Sequence, residues 1–125
     1  MSEPYCVVSI EDDDLIYELI KATLRPLPIA LHHASNGPDA LKLVLEMKPD
    51  VLILDINLPG MHGWDILKHL VAQKMKFRGV IMLTAQTGAT HRVIAHLQDE
   101  VTHFLGKPFD PQDLREAVEQ VLNIQ

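Results

Sequence analysis

Short apolar runs alternate with stretches of helical periodicity along the whole chain. Cys6–Ile10 is an apolar run that ends on four acids, Glu11, Asp12, Asp13 and Asp14. Leu15, Ile16, Leu19, Ile20 and Leu24 follow at helical spacing, and Pro26 and Pro28 stop that helix. Ile29–Ala34 reads as a strand closed by Ser35-Asn36-Gly37. Pro38 then suits the first turn of a helix that carries Leu41, Val44 and Leu45 inward. Val51–Leu54 is a continuous apolar run, the pattern of a strand covered on both faces. After the turn Leu58-Pro59-Gly60 comes a helix over Trp64–Gln73, then a second fully covered strand, Val80–Leu83. A helix is expected from about Thr87 to Asp99, and a short last strand at Phe104 and Leu105. Asp110 caps a final helix with Pro111 at its first position and Leu114, Ala117, Val118, Val121 and Leu122 on one face.

Five strands each followed by a helix imply right-handed crossovers and a parallel sheet with helices on both faces. The doubly wound strand order 2-1-3-4-5 fits, as a single domain over 1–125. In such sheets ligands bind beyond the carboxyl ends of the strands, near the switch in strand order. Glu11, Asp12 and Asp13 stand at that end of the first strand and Asp55 at that of the third. Thr84 ends the fourth and Lys107 the fifth. One cleft would thus gather several carboxylates, a hydroxyl and an ammonium. Clustered carboxylates repel one another unless a cation joins them, and hard oxygen ligands on an open cleft suit Mg²⁺. A carboxylate is also a nucleophile toward phosphorus, and phosphoryl transfer needs mainly positioning and charge neutralisation.

Composition narrows the field. Seventeen acids against eleven bases give a net charge of −6, which argues against nucleic acid or an anionic membrane as a direct partner. The single cysteine, Cys6, excludes an internal disulfide and any multi-cysteine zinc site. No apolar run is long enough to span a membrane, and the start of the chain is not a signal peptide, so a soluble cytoplasmic protein is expected.

The segments SIEDDDLI, VLILDINLPGMHGWDIL, VIMLTAQ and FLGKPFDPQDL, in this order and spacing, resemble the receiver domains of two-component response regulators. The resemblance covers nearly the whole chain and implies a flavodoxin-like three-layer sandwich. It implies that Asp55 accepts a phosphoryl group from the phosphohistidine of a histidine kinase or phosphotransfer protein. It also implies Mg²⁺ held by Asp12 directly, by Glu11 through water, by Asp55, and by the backbone carbonyl of Asn57. Thr84 and Lys107 match the family's active-site hydroxyl and lysine, and Phe104 falls where the family places a switching aromatic. The peptide between Lys107 and Pro108 is then expected to be cis, aiming the ammonium into the cleft. The implied output is a change of fit at the face built from the fourth helix, fifth strand and last helix, with an output partner unknown.

The sequence departs from the family pattern in places. Glu11 replaces the commoner aspartate, His62 stands where an acid or amide is frequent, and Glu100 occupies a position usually glycine. The stretch from Thr84 to Lys107 is one residue longer than usual, with the extra residue placed around His96. Taken singly, several of these residues have plainer readings. Asp14 is expected to be a helix cap and Asp13 to solvate a turn. Thr84 alone would be a strand-end hydroxyl, Lys107 a surface lysine, and Phe104 core. His32 and His33 alternate across a strand, and His91 and His96 lack the spacing of a helical metal pair. Trp64 and the five methionines read as packing, with Met61 and Trp64 expected near the cleft rim.

Two other functions compete. A phosphatase of the haloacid dehalogenase type also uses a strand-end aspartate, but needs a second acid two residues on, where this chain has Asn57. A degenerate receiver would act by protein contact alone. The receiver reading makes the chain a switch and not a turnover enzyme. The last helix offers one base, Arg115, among Asp113, Glu116 and Glu119, and the fourth only Arg92 and histidines. Exposed ion pairs contribute only about 0–1 kcal/mol each, so a monomer or weak dimer is expected.

Overall fold

The computed structural model describes residues 3–84 and 100–124. In chain order the elements are β1 (Tyr5–Ile10), α1 (Asp14–Leu24), β2 (Ile29–Ala34), α2 (Gly37–Met47), β3 (Val51–Asp55), α3 (Gly63–Ala72), β4 (Gly79–Thr84), β5 (His103–Gly106) and α4 (Pro111–Leu122). The expected helix over 87–99, with His91, Arg92 and His96, lies outside the described residues, so the label α4 passes to the last helix. The strands form one parallel sheet in the order β2-β1-β3-β4-β5. This is the doubly wound arrangement expected from the alternation of patterns.

The two sides of the sheet bury different residues because side chains alternate along a strand. Val8, Ile10, Leu52, Leu54, Val80 and Met82 pack with Val44 of α2 and with Trp64, Leu67 and Leu70 of α3. Val7, Val51, Ile53, Ile81 and Leu83 pack with Ile20 and Leu24 of α1 and with Leu114, Val118 and Leu122 of α4. No position of β3 or β4 is left in solvent, which explains their unbroken apolar sequence. Both strands run past that apolar stretch, to Asp55 and Thr84, because ladder pairing continues there. Asp55 pairs with Leu83 and Thr84 with Gly106.

Helix faces turn out narrower than their apolar content. On α1, Leu15 is 81% and Leu19 40% exposed, while Ile20 and Leu24 are fully buried. On α2, Leu45 faces outward, and the inward stripe is Ala40, Val44 and their flanks Leu41, Leu43 and Met47. A one-sided helix buries only the stripe that meets the sheet, so extra leucines on either flank stay in water. Trp64 is not at a rim. It is fully buried against the sheet. The cap of α1 is Asp13 and not Asp14. The extended Asp13 backbone lets Oδ1 accept from the Leu15 and Ile16 amides, and Asp14 is the first helical residue. Asp110 caps α4 as expected, accepting from the Gln112 amide.

Candidate active site at the carboxyl ends of the strands

The parallel ladder brings the ends of β1, β3, β4 and β5 together at one edge of the sheet. Glu11 follows β1 directly. Its amide donates to the Ala34 carbonyl at 3.0 Å, so the backbone stays tied to β2 for one residue beyond the strand. The Glu11 side chain is fully buried, and Oε2 accepts from the Asp13 amide at 3.1 Å. Asp12, next along, is exposed. Asp55 ends β3 and is 2% exposed, with Oδ1 accepting from the Asn57 amide at 3.0 Å. Behind it the chain turns sharply. The Ile56 amide donates to the Leu83 carbonyl and the Gly63 amide to the Ile56 carbonyl.

Lys107 closes the site from β5. Its Nζ lies 2.9 Å from Asp55 Oδ2 and 3.0 Å from Glu11 Oε1. The Lys107 amide donates to the Thr84 carbonyl at 2.7 Å, and the Lys107–Pro108 peptide is cis, as the resemblance implies. Thr84 is buried at the end of β4. Phe104 on β5 is 37% exposed rather than core, its ring centroid 6.0 Å from that of Trp64.

The electrostatics follow from this packing. Burial pushes the Glu11 carboxyl above its ordinary range, and the Asp13 amide and the Lys107 ammonium pull it back only in part. Burial also works against the charge on Lys107. The hydrogen bonds and negative charges of Asp55 and Glu11 outweigh it and hold Lys107 above the usual lysine value. Glu11, Asp12 and Asp55 each place a carboxylate oxygen within 4.8 Å of the others. With all three ionised, one ammonium leaves two negative charges uncompensated. An all-oxygen donor set of that charge, open to water through Asp12, suits a hard divalent cation such as Mg²⁺. An open cleft of about 870 Å³ continues from Asp12 along Asn57–His62 to Asp65.

Of the residues singled out in the sequence, Glu11, Asp12, Asp55 and Lys107 therefore meet. Thr84 adjoins them through its carbonyl bond to the Lys107 amide. His62 caps α3, its Nδ1 accepting from the Trp64 amide at 3.3 Å, and it lines the cleft. Two features had no sequence signal: Lys107 bridges Glu11 as well as Asp55, and His33 reaches the Glu11 carbonyl. Gly63 had a weak one, a glycine opening a helix. A Cβ there would stand 2.7 Å from both the Asp55 carbonyl oxygen and the Ile56 Cα.

The profile of the family described as "Response regulator receiver domain" matches residues 7–119. The chain belongs to this family. It is 30% identical over 116 residues to the alkaline phosphatase synthesis transcriptional regulatory protein PhoP of Bacillus subtilis, covering 93% of this chain and 48% of that protein. The chain thus spans about half the length of the curated relatives it matches. The chemotaxis response regulator CheY4 of Vibrio cholerae, whose structure is solved, is 28% identical, with a TM-score of 0.82 and 94% and 98% of the two chains covered. The receiver domain of the sensor histidine kinase PA1611 of Pseudomonas aeruginosa PAO1 shares the fold (TM-score 0.81, 22% identity, 96% and 98% covered). That structure holds a magnesium ion in its active-site cleft. Among the described residues, no helix is long and apolar enough to cross a membrane.

Proposed function

We propose that this receiver is a phosphorylation switch with Asp55 as its acceptor. The observation that carries the reading is the cluster itself: a buried carboxylate, Asp55, with an ammonium 2.9 Å from Oδ2 and the exposed Asp12 within 4.8 Å. An Asp55 oxygen attacks the phosphorus of a partner's phosphohistidine. The O–P bond forms, the P–N bond breaks, and the electron pair leaves on the imidazole, which takes a proton. Lys107 balances charge on the entering phosphoryl oxygens. Asp12, Asp55 and the Asn57 carbonyl would hold Mg²⁺, with Glu11 acting through water. When bound, the ion supplies a further positive charge beside the phosphoryl group.

The resemblance supports the rest of the switch. Thr84 turns its hydroxyl toward the phosphoryl group and Phe104 rotates inward. The face containing β5 and α4 then changes its fit to an output partner, which is a population shift rather than turnover. With Arg115 the one base of α4, that face is poor in charge pairs for self-association, so the chain is proposed to act as a monomer or weak dimer.

The test is mass measurement after incubation with acetyl phosphate and Mg²⁺, followed by peptide mapping. One phosphoryl mass on the Asp55 peptide, lost on base treatment and absent in Asp55→Asn, is expected. Full labelling of Asp55→Asn would refute the assignment.

A further inference from the structure

His33 lies on β2, a strand with no side chain in the acidic cluster, yet it touches that site's backbone. Its Nε2 is 2.7 Å from the Glu11 carbonyl oxygen. A carbonyl only accepts, so Nε2 carries the hydrogen. The ring is held from its face by Tyr17 of α1, with centroids 3.7 Å apart and planes 9° from parallel. The peptide that accepts this bond joins Glu11 to Asp12. Its orientation sets the direction in which the Asp12 side chain leaves the backbone.

The other constraints on this turn act on either side of that peptide. The Glu11 amide is tied to Ala34, and the Asp13 amide to Glu11 Oε2. Asp13 itself is tied to the first turn of α1. None of these bonds uses the Glu11 carbonyl. We propose that His33, clamped by Tyr17, is a positioning residue that fixes the Glu11–Asp12 peptide and so holds Asp12 in place for the divalent cation. This rests on the metal reading above. His33 touches neither cation nor phosphoryl group, so it acts on metal affinity and not on the chemical step. A hydrogen bond one layer behind a metal ligand commonly changes affinity by about tenfold.

The test compares wild type with His33→Phe, His33→Gln, Tyr17→Leu and Asp12→Ala. Mg²⁺ dissociation constants come from amide chemical shifts of Asp12 and Asp13, and acetyl phosphate labelling rates are measured as a function of Mg²⁺. His33→Phe keeps a ring under Tyr17 but has no donor. It is expected to weaken Mg²⁺ about tenfold, while the labelling rate at saturating Mg²⁺ stays unchanged. His33→Gln restores an N–H and is expected to recover most of the affinity, and Tyr17→Leu to lie between. If His33→Phe does not fold, the Gln and Tyr17→Leu pair decides. Gln at wild-type affinity with Tyr17→Leu weakened supports the clamp, and any other pairing overturns it. Unchanged affinity in His33→Phe, in a series where Asp12→Ala loses it, overturns the positioning role alone. Unchanged affinity in Asp12→Ala overturns the metal reading itself. A His33→Phe loss that Gln fails to recover, or that persists at saturating Mg²⁺, also refutes the role.

Discussion

Lys107 Nζ sits 2.9 Å from Asp55 Oδ2, across 52 residues of sequence, and the same ammonium is 3.0 Å from Glu11 Oε1. One cation therefore answers two carboxylates that are both buried. Removing it by Lys107→Met leaves them facing each other without compensation. Losing a hydrogen bond between charged groups costs roughly 1.5–3 kcal/mol. Urea unfolding at neutral pH should show a loss of that size, and added Mg²⁺ should return part of it by supplying another positive charge. A variant as stable as wild type without Mg²⁺ would contradict this.

The acid limb of the pH–stability profile should carry the signature of Glu11. Its folded pKa lies above the ordinary 4.5, so the carboxyl binds its proton more tightly in the folded chain than in the unfolded one. Stability from this group is present below 4.5 and is lost as pH rises through the folded value. Glu11→Gln removes the titration. Relative to wild type it should gain stability as pH climbs from 4.5 toward neutrality. Parallel urea midpoints for the two proteins over that range would contradict the assignment.

Lys107 has the opposite limb. Its folded pKa lies above the ordinary 10.5, so its contribution is complete below 10.5 and lost as pH rises through the folded value. Wild type should lose stability there more steeply than Lys107→Met, as followed by circular dichroism.

Gly63 gives α3 its close approach to the end of β3. The Asp55 carbonyl and the Ile56 Cα are backbone atoms, so a methyl group 2.7 Å from each forces the end of β3 and the start of α3 apart, and the short turn between them transmits that to Asp55. Overpacking of this kind costs about 1–3 kcal/mol. Gly63→Ala should therefore be less stable in urea and also label more slowly from acetyl phosphate, because Asp55 moves with the strand. A stable, fully active variant would show that the helix shifts instead.

The two neighbouring acids at the start of α1 should separate cleanly. Asp13→Ala removes the cap and should cost about 0.5–2 kcal/mol. Asp14→Ala removes only a first-turn charge, about 0.3–1 kcal/mol. Equal thermal shifts in the two variants would contradict the capping assignment.

Local pattern and strand topology together determined much of this protein. Runs such as Val51–Leu54 and Val80–Leu83 carry the pattern of covered strands, and their alternation with helices fits the sheet order observed. Asp55 and Thr84 end those strands, so their placement at one edge with Glu11 and Lys107 was legible in the sequence. The family motifs sharpened that reading, while periodicity alone erred on Leu45, because an apolar side chain does not declare which flank of a helix meets the sheet. The choice between Asp13 and Asp14 as cap also depended on where the backbone leaves its extended form. Other relationships had no local signal at all. Lys107 bonds Glu11 across 96 residues, and His33 reaches a carbonyl on a neighbouring strand's turn. Such distances are fixed by ladder register and by the depth of packing behind the sheet, and those exist only when the whole chain has closed on itself.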